Sequence, residues 1–237
     1  AGTYQFEVEI WDNAATPAKI CSFATSAAKT FTAGKCLNMP AKEVKEPFVP
    51  TYVDLGLPSG VKWATCNIGA SKPEGYGNYY AWGETKTKDN YYDDTYKYGI
   101  DYEITKYCTR SDRGIVDNKT TLEKSDDVAY TTLGGNWRMP TDAEWTELRT
   151  KCKWTWVWYD SGAHGYKVEA ANGNSIFLPA ASLVYEIISA DTYGIYWSSS
   201  LNADNPNYAY NLIFYSGNVY TGSGYRCGGQ SVRPVSE

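Results

Sequence analysis

Few residues in this sequence could carry covalent or acid–base chemistry. There are six cysteines, Cys21, Cys36, Cys66, Cys108, Cys152 and Cys227, and one histidine, His164. No two cysteines form a CxxC pair and there is no second histidine, so the spacing that zinc ligation needs is missing. His164 stands in SGAHGY, flanked by turn residues and without a Ser or Cys signature nearby. It reads as a loop histidine rather than a general base. Cys227 lies between Arg226 and two glycines. That is the chemistry of a plain turn, and one thiol cannot supply both members of a redox or metal-binding pair. The cysteines are left as disulfides or buried thiols. A Cys21–Cys36 pairing is favoured and the others stay open. Asp93-Asp94 and Asp126-Asp127 could join loop carbonyls around Ca²⁺, which takes about six to eight oxygens, but solvated loop charge is the expected role. The sequence therefore predicts no catalytic residue, no metal site and no cofactor.

Recognition chemistry is more abundant. The chain holds 22 Tyr and 9 Trp against 2 Met, with 21 Gly. Tyr and Trp offer large, rigid contact area at small entropic cost. Between Ile187 and Ser236 there is neither Lys nor Glu, and residues 202–226 are dominated by Asn, Tyr, Ser, Gly, Asp and Thr. In Tyr210-Asn211-Leu212-Ile213-Phe214-Tyr215, strand alternation sends Leu212 and Phe214 to the core, with Val219, and Asn211, Ile213 and Tyr215 outward. The expectation is that Asn202, Asp204, Asn207, Tyr208, Tyr210, Asn211, Tyr215, Asn218, Tyr220 and Tyr225 form much of one solvent-facing surface that contacts a protein or glycan ligand.

Charge and hydropathy narrow the partners. The net charge is −5 and Lys and Arg are scattered, so the basic field that phosphate backbones require is missing and nucleic acid is excluded. No apolar run approaches the ~20 residues of a membrane-spanning helix, so no membrane insertion is expected. Ala1 begins directly in a strand-like pattern, as in a mature or truncated chain.

These residues must be positioned by short strands. YQFEVEIW, KICSFAT and KTFTAGKCLNM read as β-strands over Tyr4 to Met39, too little sheet for an independent core. Pro40, Pro47 and Pro50 give AKEVKEPFVP linker chemistry. Two units follow: a β-strand segment over 1–49 and a domain over 50–237. In the second, YVDLGLPSGVKWATC gives two strands around a Pro-Ser-Gly turn, GYGNYYAWGE a further aromatic strand, and residues 85–125 long loops. TDAEWTELRTKC, 141–152, is a helix with Thr141 as cap and Glu144 completing a capping box. KWTWVWY, GYKVEA, SIFLPA, IYWSSS, YAYNLIFY and GNVY follow at antiparallel spacing. The predicted fold class is α+β, mostly β.

The string GGNWRMPTDAEW, 134–145, locks turn glycines, an aromatic residue, an Arg and a capped helix start at fixed offsets. It resembles the WRLPTEAEW segment of the formylglycine-generating-enzyme and C-type-lectin-like superfold, which implies a structural role for Arg138. With YVDLGLPSGVKWATCNIGA, GNYYAWGET, NGNSIFLPAA, YWSSS and SVRPV it resembles the major paralogous domain proteins of gut bacteria over about residues 51–235. KTFTAGKCLNM is similar to the last strands of fimbrillin-like β-sandwich domains. The resemblance implies a C-type-lectin-like domain preceded by a short β segment, an adhesin-like role at the cell surface or in the secreted space, and an upstream signal of lipoprotein type. The formylglycine-generating relatives oxidise cysteine through two C-terminal thiols. Only Cys227 lies in that region, so an oxidase is the alternative rather than the expectation. Asn205-Pro206-Asn207 is similar to the Glu-Pro-Asn triplet of sugar-binding C-type lectins, but the following Trp-Asn-Asp is missing. Residues 202–226 also resemble segments that diversity-generating retroelements rewrite.

Overall fold

In the computed structural model the described residues are 50–100, 103–159, 162–184 and 191–237, together with the strand segments at 2–4, 7–11, 19–24 and 29–31. The chain divides into two compact units, Ala1–Val49 and Pro50–Glu237. In the first unit, β1 (Gly2–Tyr4) pairs antiparallel with β4 (Lys29–Phe31), and β2 (Glu7–Trp11) with β3 (Lys19–Ala24). The Cys21–Cys36 pairing falls outside the described residues.

The second unit is α+β and mostly β. A four-stranded sheet orders β5 (Tyr52–Asp54), β6 (Lys62–Ala64), β18 (Val235–Ser236) and β9 (Trp137–Arg138). One three-stranded meander is β10 (Lys153–Trp158), β11 (His164–Glu169) and β12 (Ser175–Pro179). A second is β14 (Tyr193–Leu201), β15 (Tyr208–Tyr215) and β16 (Asn218–Tyr225). Two short pairs complete it: β7 (Gly99–Ile100) with β8 (Glu103–Ile104), and β13 (Leu183–Val184) with β17 (Gly229–Gln230). Among the described residues the α-helices are α1 (Val128–Leu133) and α2 (Asp142–Lys151).

Helix α2 starts where local chemistry dictates. The Thr141 side chain accepts from the Glu144 N–H at 3.2 Å while the Glu144 carboxylate accepts from the Thr141 N–H at 2.7 Å, which satisfies two otherwise orphaned donors. Trp145 and Leu148 are fully buried, and the Trp145 ring lies 4.7 Å from Trp63 and 5.9 Å from Tyr196. Arg138 forks onto Glu144 at 2.8 and 2.6 Å and so fixes the helix start to β9. In the closing SVRPV segment, Arg233 is fully buried and donates to the Asn67 side chain and to the carbonyls of Ala64, Thr65 and Phe177, tying the C-terminal strand to the β6 end and to β12.

Three local expectations are corrected. Residues 75–84 form no strand: Gly77 and Gly83 take left-handed φ of 73° and 81°, which breaks an extended run, and Tyr80 makes only an isolated bridge to Gln230. Tyr80, Ala81 and Trp82 are nevertheless buried. Helix α1, just beyond the 85–125 loops, is a second helix where only the one at 141–152 is predicted, and Asp127 caps it by accepting from the N–H groups of Ala129 and Tyr130. His164 opens strand β11 instead of sitting in a turn, with its ring 3.9 Å from that of Trp158.

Candidate ligand-binding site

The predicted surface rests on β14–β16, and the register of this sheet decides where each residue points. Cross-strand partners share a face. Tyr208 opposes Tyr225, Tyr210 opposes Ser223, Leu212 opposes Thr221 and Phe214 opposes Val219. On the other face Ala209 opposes Gly224, Asn211 opposes Gly222, Ile213 opposes Tyr220 and Tyr215 opposes Asn218. Leu212 and Phe214 are fully buried in the core beside α2, as expected, with Val219 partly buried against it. The ten candidates do not form one surface. Tyr208, Tyr210 and Tyr225 lie on the face opposite to Tyr215, Asn218 and Tyr220.

Asn211 is a further correction. It is 1 % exposed, and its amide donates to the Gln230 side chain at 3.1 Å. The alternation argument assumed one solvated face, whereas this sheet is covered on both over part of its length. A Cβ built on Gly224 would lie 2.7 Å from the Gln230 amide and 3.5 Å from the Trp197 ring, so a larger residue there would have to displace the Gln230 side chain.

Of the remaining candidates, Tyr210 lies inward of the hairpin's open end, opposite Ser223, while Tyr208 and Tyr225 pair at that end. The Tyr208 and Tyr225 rings lie 4.4 Å apart at 33°. The hydrogen bond that the Tyr208 hydroxyl donates to Tyr225, more than burial, raises the pKa of the Tyr208 phenol. Asn202 is spent on shaping its loop: its carbonyl oxygen accepts from the N–H groups of Asp204 and Asn205, both at 3.2 Å, an Asx-turn arrangement. Asp204 is exposed, and its backbone carbonyl accepts from Arg110 at 3.2 Å. Asn207 and Tyr225 line a cleft of about 750 Å³, whose other walls include Tyr92, Asp93 and Asp94 from the segment before β7, and Arg113 from the loop after β8.

The cleft is held from below by Arg226, which sequence reasoning missed. Its guanidinium is 2 % exposed and donates to the Tyr96 hydroxyl at 2.9 Å, to the Tyr107 and Pro206 carbonyls at 3.2 and 2.9 Å, and to the Lys106 carbonyl at 2.9 Å. It also lies 4.9 Å from the Trp82 ring centroid and 5.3 Å from that of Tyr96. One side chain thus ties together the three segments that carry the walls. The signal in the sequence is only Gly-Tyr-Arg-Cys-Gly-Gly, because all of the partners are remote.

The turn end looks different. Tyr193 and Tyr215 are in ring contact at 5.3 Å, and Asn218 donates to the Tyr215 hydroxyl at 3.0 Å. Tyr220 beside them is 38 % exposed.

The groups weighed for chemistry have structural surroundings. Asp126 and Asp127 are 4 % and 5 % exposed, so the expectation of solvated charge is corrected. Asp126 accepts from Lys106 at 2.6 Å and Tyr107 at 2.7 Å. Burial alone would raise its pKa, but hydrogen bonds from Lys106, Tyr98, Tyr107 and Lys97 override that and hold it well below the ordinary carboxylate range. Asp127 caps α1 and also accepts from the Met139 N–H, yet burial dominates and its pKa is raised. Cys227 is 1 % exposed, and burial, followed by a hydrogen bond with Asp93, pushes its thiol up to about 12, so it stays protonated at neutral pH. Cys66, Cys108 and Cys152 are free thiols as well. No protein-family model matches this chain, and searches of curated proteins and of solved structures give no match either.

Proposed function

We propose that the 50–237 unit is a ligand-binding module of C-type-lectin-like fold, adhesin-like, acting at the cell surface or after secretion, and contacting a protein or glycan. The observation that carries this reading is the closely packed, tilted Tyr208–Tyr225 pair at the edge of a cleft of about 750 Å³, on walls fastened by Arg226. A cleft of this size lies within the ~300–1,000 Å³ of small-ligand sites, and rigid aromatic groups beside amides suit recognition. The oxidase alternative draws less support. It needs an activated thiol and a partner, whereas Cys227 is buried with its thiol pushed up to about 12.

A binding screen against glycans and purified surface proteins, with wild type beside Tyr208→Ala/Tyr225→Ala, tests the reading. Specific binding that the double variant loses supports it. Cysteine oxidation by the purified protein that Cys227→Ser abolishes would replace it with the oxidase. Fractionation of the source cells should find the protein outside the cytoplasm, and an exclusively cytosolic protein would refute the surface role.

A further inference from the structure

The cleft contains both kinds of hydrogen-bonding group. Asp93 and Asp94 are acceptors only, Arg113 is a donor only, and the Asn207 amide and the tyrosine hydroxyls are both. Tyr92 and Tyr225, 53 % and 50 % exposed, add aromatic area at its margin, while Tyr96 and Tyr98, buried beneath it, give an apolar floor. A ligand that satisfies this lining must carry many groups that donate and accept at once, together with faces of C–H bonds that can lie on an aromatic ring. Sugars have that combination.

Charge restricts the class. Three carboxylates line the cleft, Asp93, Asp94 and Glu103, against two guanidinium groups, Arg113 and Arg226. Arg226 spends its guanidinium on the Tyr96 hydroxyl and the carbonyls of Lys106, Tyr107 and Pro206, so Arg113 is the guanidinium the cleft offers a ligand. An anionic sugar would meet a net negative lining. A basic peptide would have to place its cation in a wall that already contains Arg113, with the Arg226 charge beneath it.

We infer that this cleft is a saccharide-binding site selective for neutral oligosaccharides, which bind with a ring face on Tyr225 and hydroxyls on Asp94 and Asn207. The inference rests on the reading of the unit as a binding module and names the ligand class of that same site. Because Arg226 fastens the walls before ligand arrives, little ordering is left for the binding step.

The test is a glycan array carrying neutral, amino, sialylated and sulfated oligosaccharides, probed with the full chain, with Tyr225→Ala, with Asp94→Asn and with Tyr220→Ala at the other end of the hairpin. Thermal unfolding of each variant accompanies it. Neutral glycans should be bound, with affinity falling about tenfold or more in Tyr225→Ala and measurably in Asp94→Asn, and unchanged in Tyr220→Ala. Should Tyr225→Ala unfold, Asp94→Asn, an isosteric change at an exposed position, carries the decision alone. Binding confined to sialylated or sulfated glycans overturns the inference, as does binding that only Tyr220→Ala removes. A blank array alongside a purified protein partner lost in Tyr208→Ala/Tyr225→Ala overturns the saccharide inference and leaves the binding reading standing. A blank array with no partner of any kind overturns both.

Discussion

The two ends of the β15–β16 hairpin are built from the same residue types and sit in different surroundings. At the open end, Tyr208, Tyr225 and Asn207 stand beside a cleft whose far walls come from residues 92–94 and 113. At the turn end, Tyr215, Tyr220 and Asn218 lie on the opposite face, with Tyr193 as their aromatic neighbour. The cause is cover. The core beside α2 takes one face where Leu212 and Phe214 point, and Trp197 and Gln230 take the other where Asn211 points. The solvated face therefore switches sides midway along the hairpin. Composition can nominate the residues of a recognition surface, but what packs on the sheet decides which of them can act together.

The strongest way to break this contrast is to remove the fastening of the open end. Arg226→Ala leaves the carbonyls of Lys106, Tyr107 and Pro206 without their donor and should cost about 3–5 kcal/mol by urea denaturation. A loss under about 1 kcal/mol would show that the open end is held by something else. Acid should act in the same region. The pKa of Asp126 is depressed in the folded state, so its contribution, on the order of 2 kcal/mol, is complete above the unfolded value near ~3.9 and is lost as pH falls below it. Asp126→Asn should therefore flatten the acid limb of stability against pH. An unchanged slope would contradict the Lys106–Asp126 linkage. Asp127, raised by burial, shifts the opposite way, so the variant and not the total curve carries this test.

Smaller effects sharpen the other side. Thr141→Ala removes one half of the capping box of α2, the helix packed near the turn-end core, and should cost about 1 kcal/mol. Tyr215→Ala and Tyr220→Ala, on the side chains left at the surface of the turn end, should each stay within about 0.5 kcal/mol of wild type. A larger loss in thermal unfolding would mean that this aromatic group is core.

What could be read in the sequence followed the range of the interactions. The capping box of α2 was legible because Thr141 and Glu144 are three positions apart and satisfy each other. So were the buried Leu212 and Phe214, since alternation is local. Asn211 was misread because its cover comes from Gln230, and Arg226 was missed because its partners Tyr96, Lys106, Tyr107 and Pro206 are scattered along the chain. Asp126 and Asp127 read as solvated because the lysines, tyrosines and helix end that receive them are invisible without the fold. The cleft itself joins three separate segments and left no pattern in any one of them.

The central claim is that recognition belongs to the open end. The most direct measurement is a calorimetric titration of the neutral oligosaccharide bound most tightly on the array into wild type, Tyr208→Ala/Tyr225→Ala and Tyr215→Ala/Tyr220→Ala. The expected result is a loss of about tenfold or more for the open-end pair and wild-type affinity for the turn-end pair, with both variants folded. Wild-type affinity in the open-end pair, with the loss confined to the turn-end pair, would contradict it.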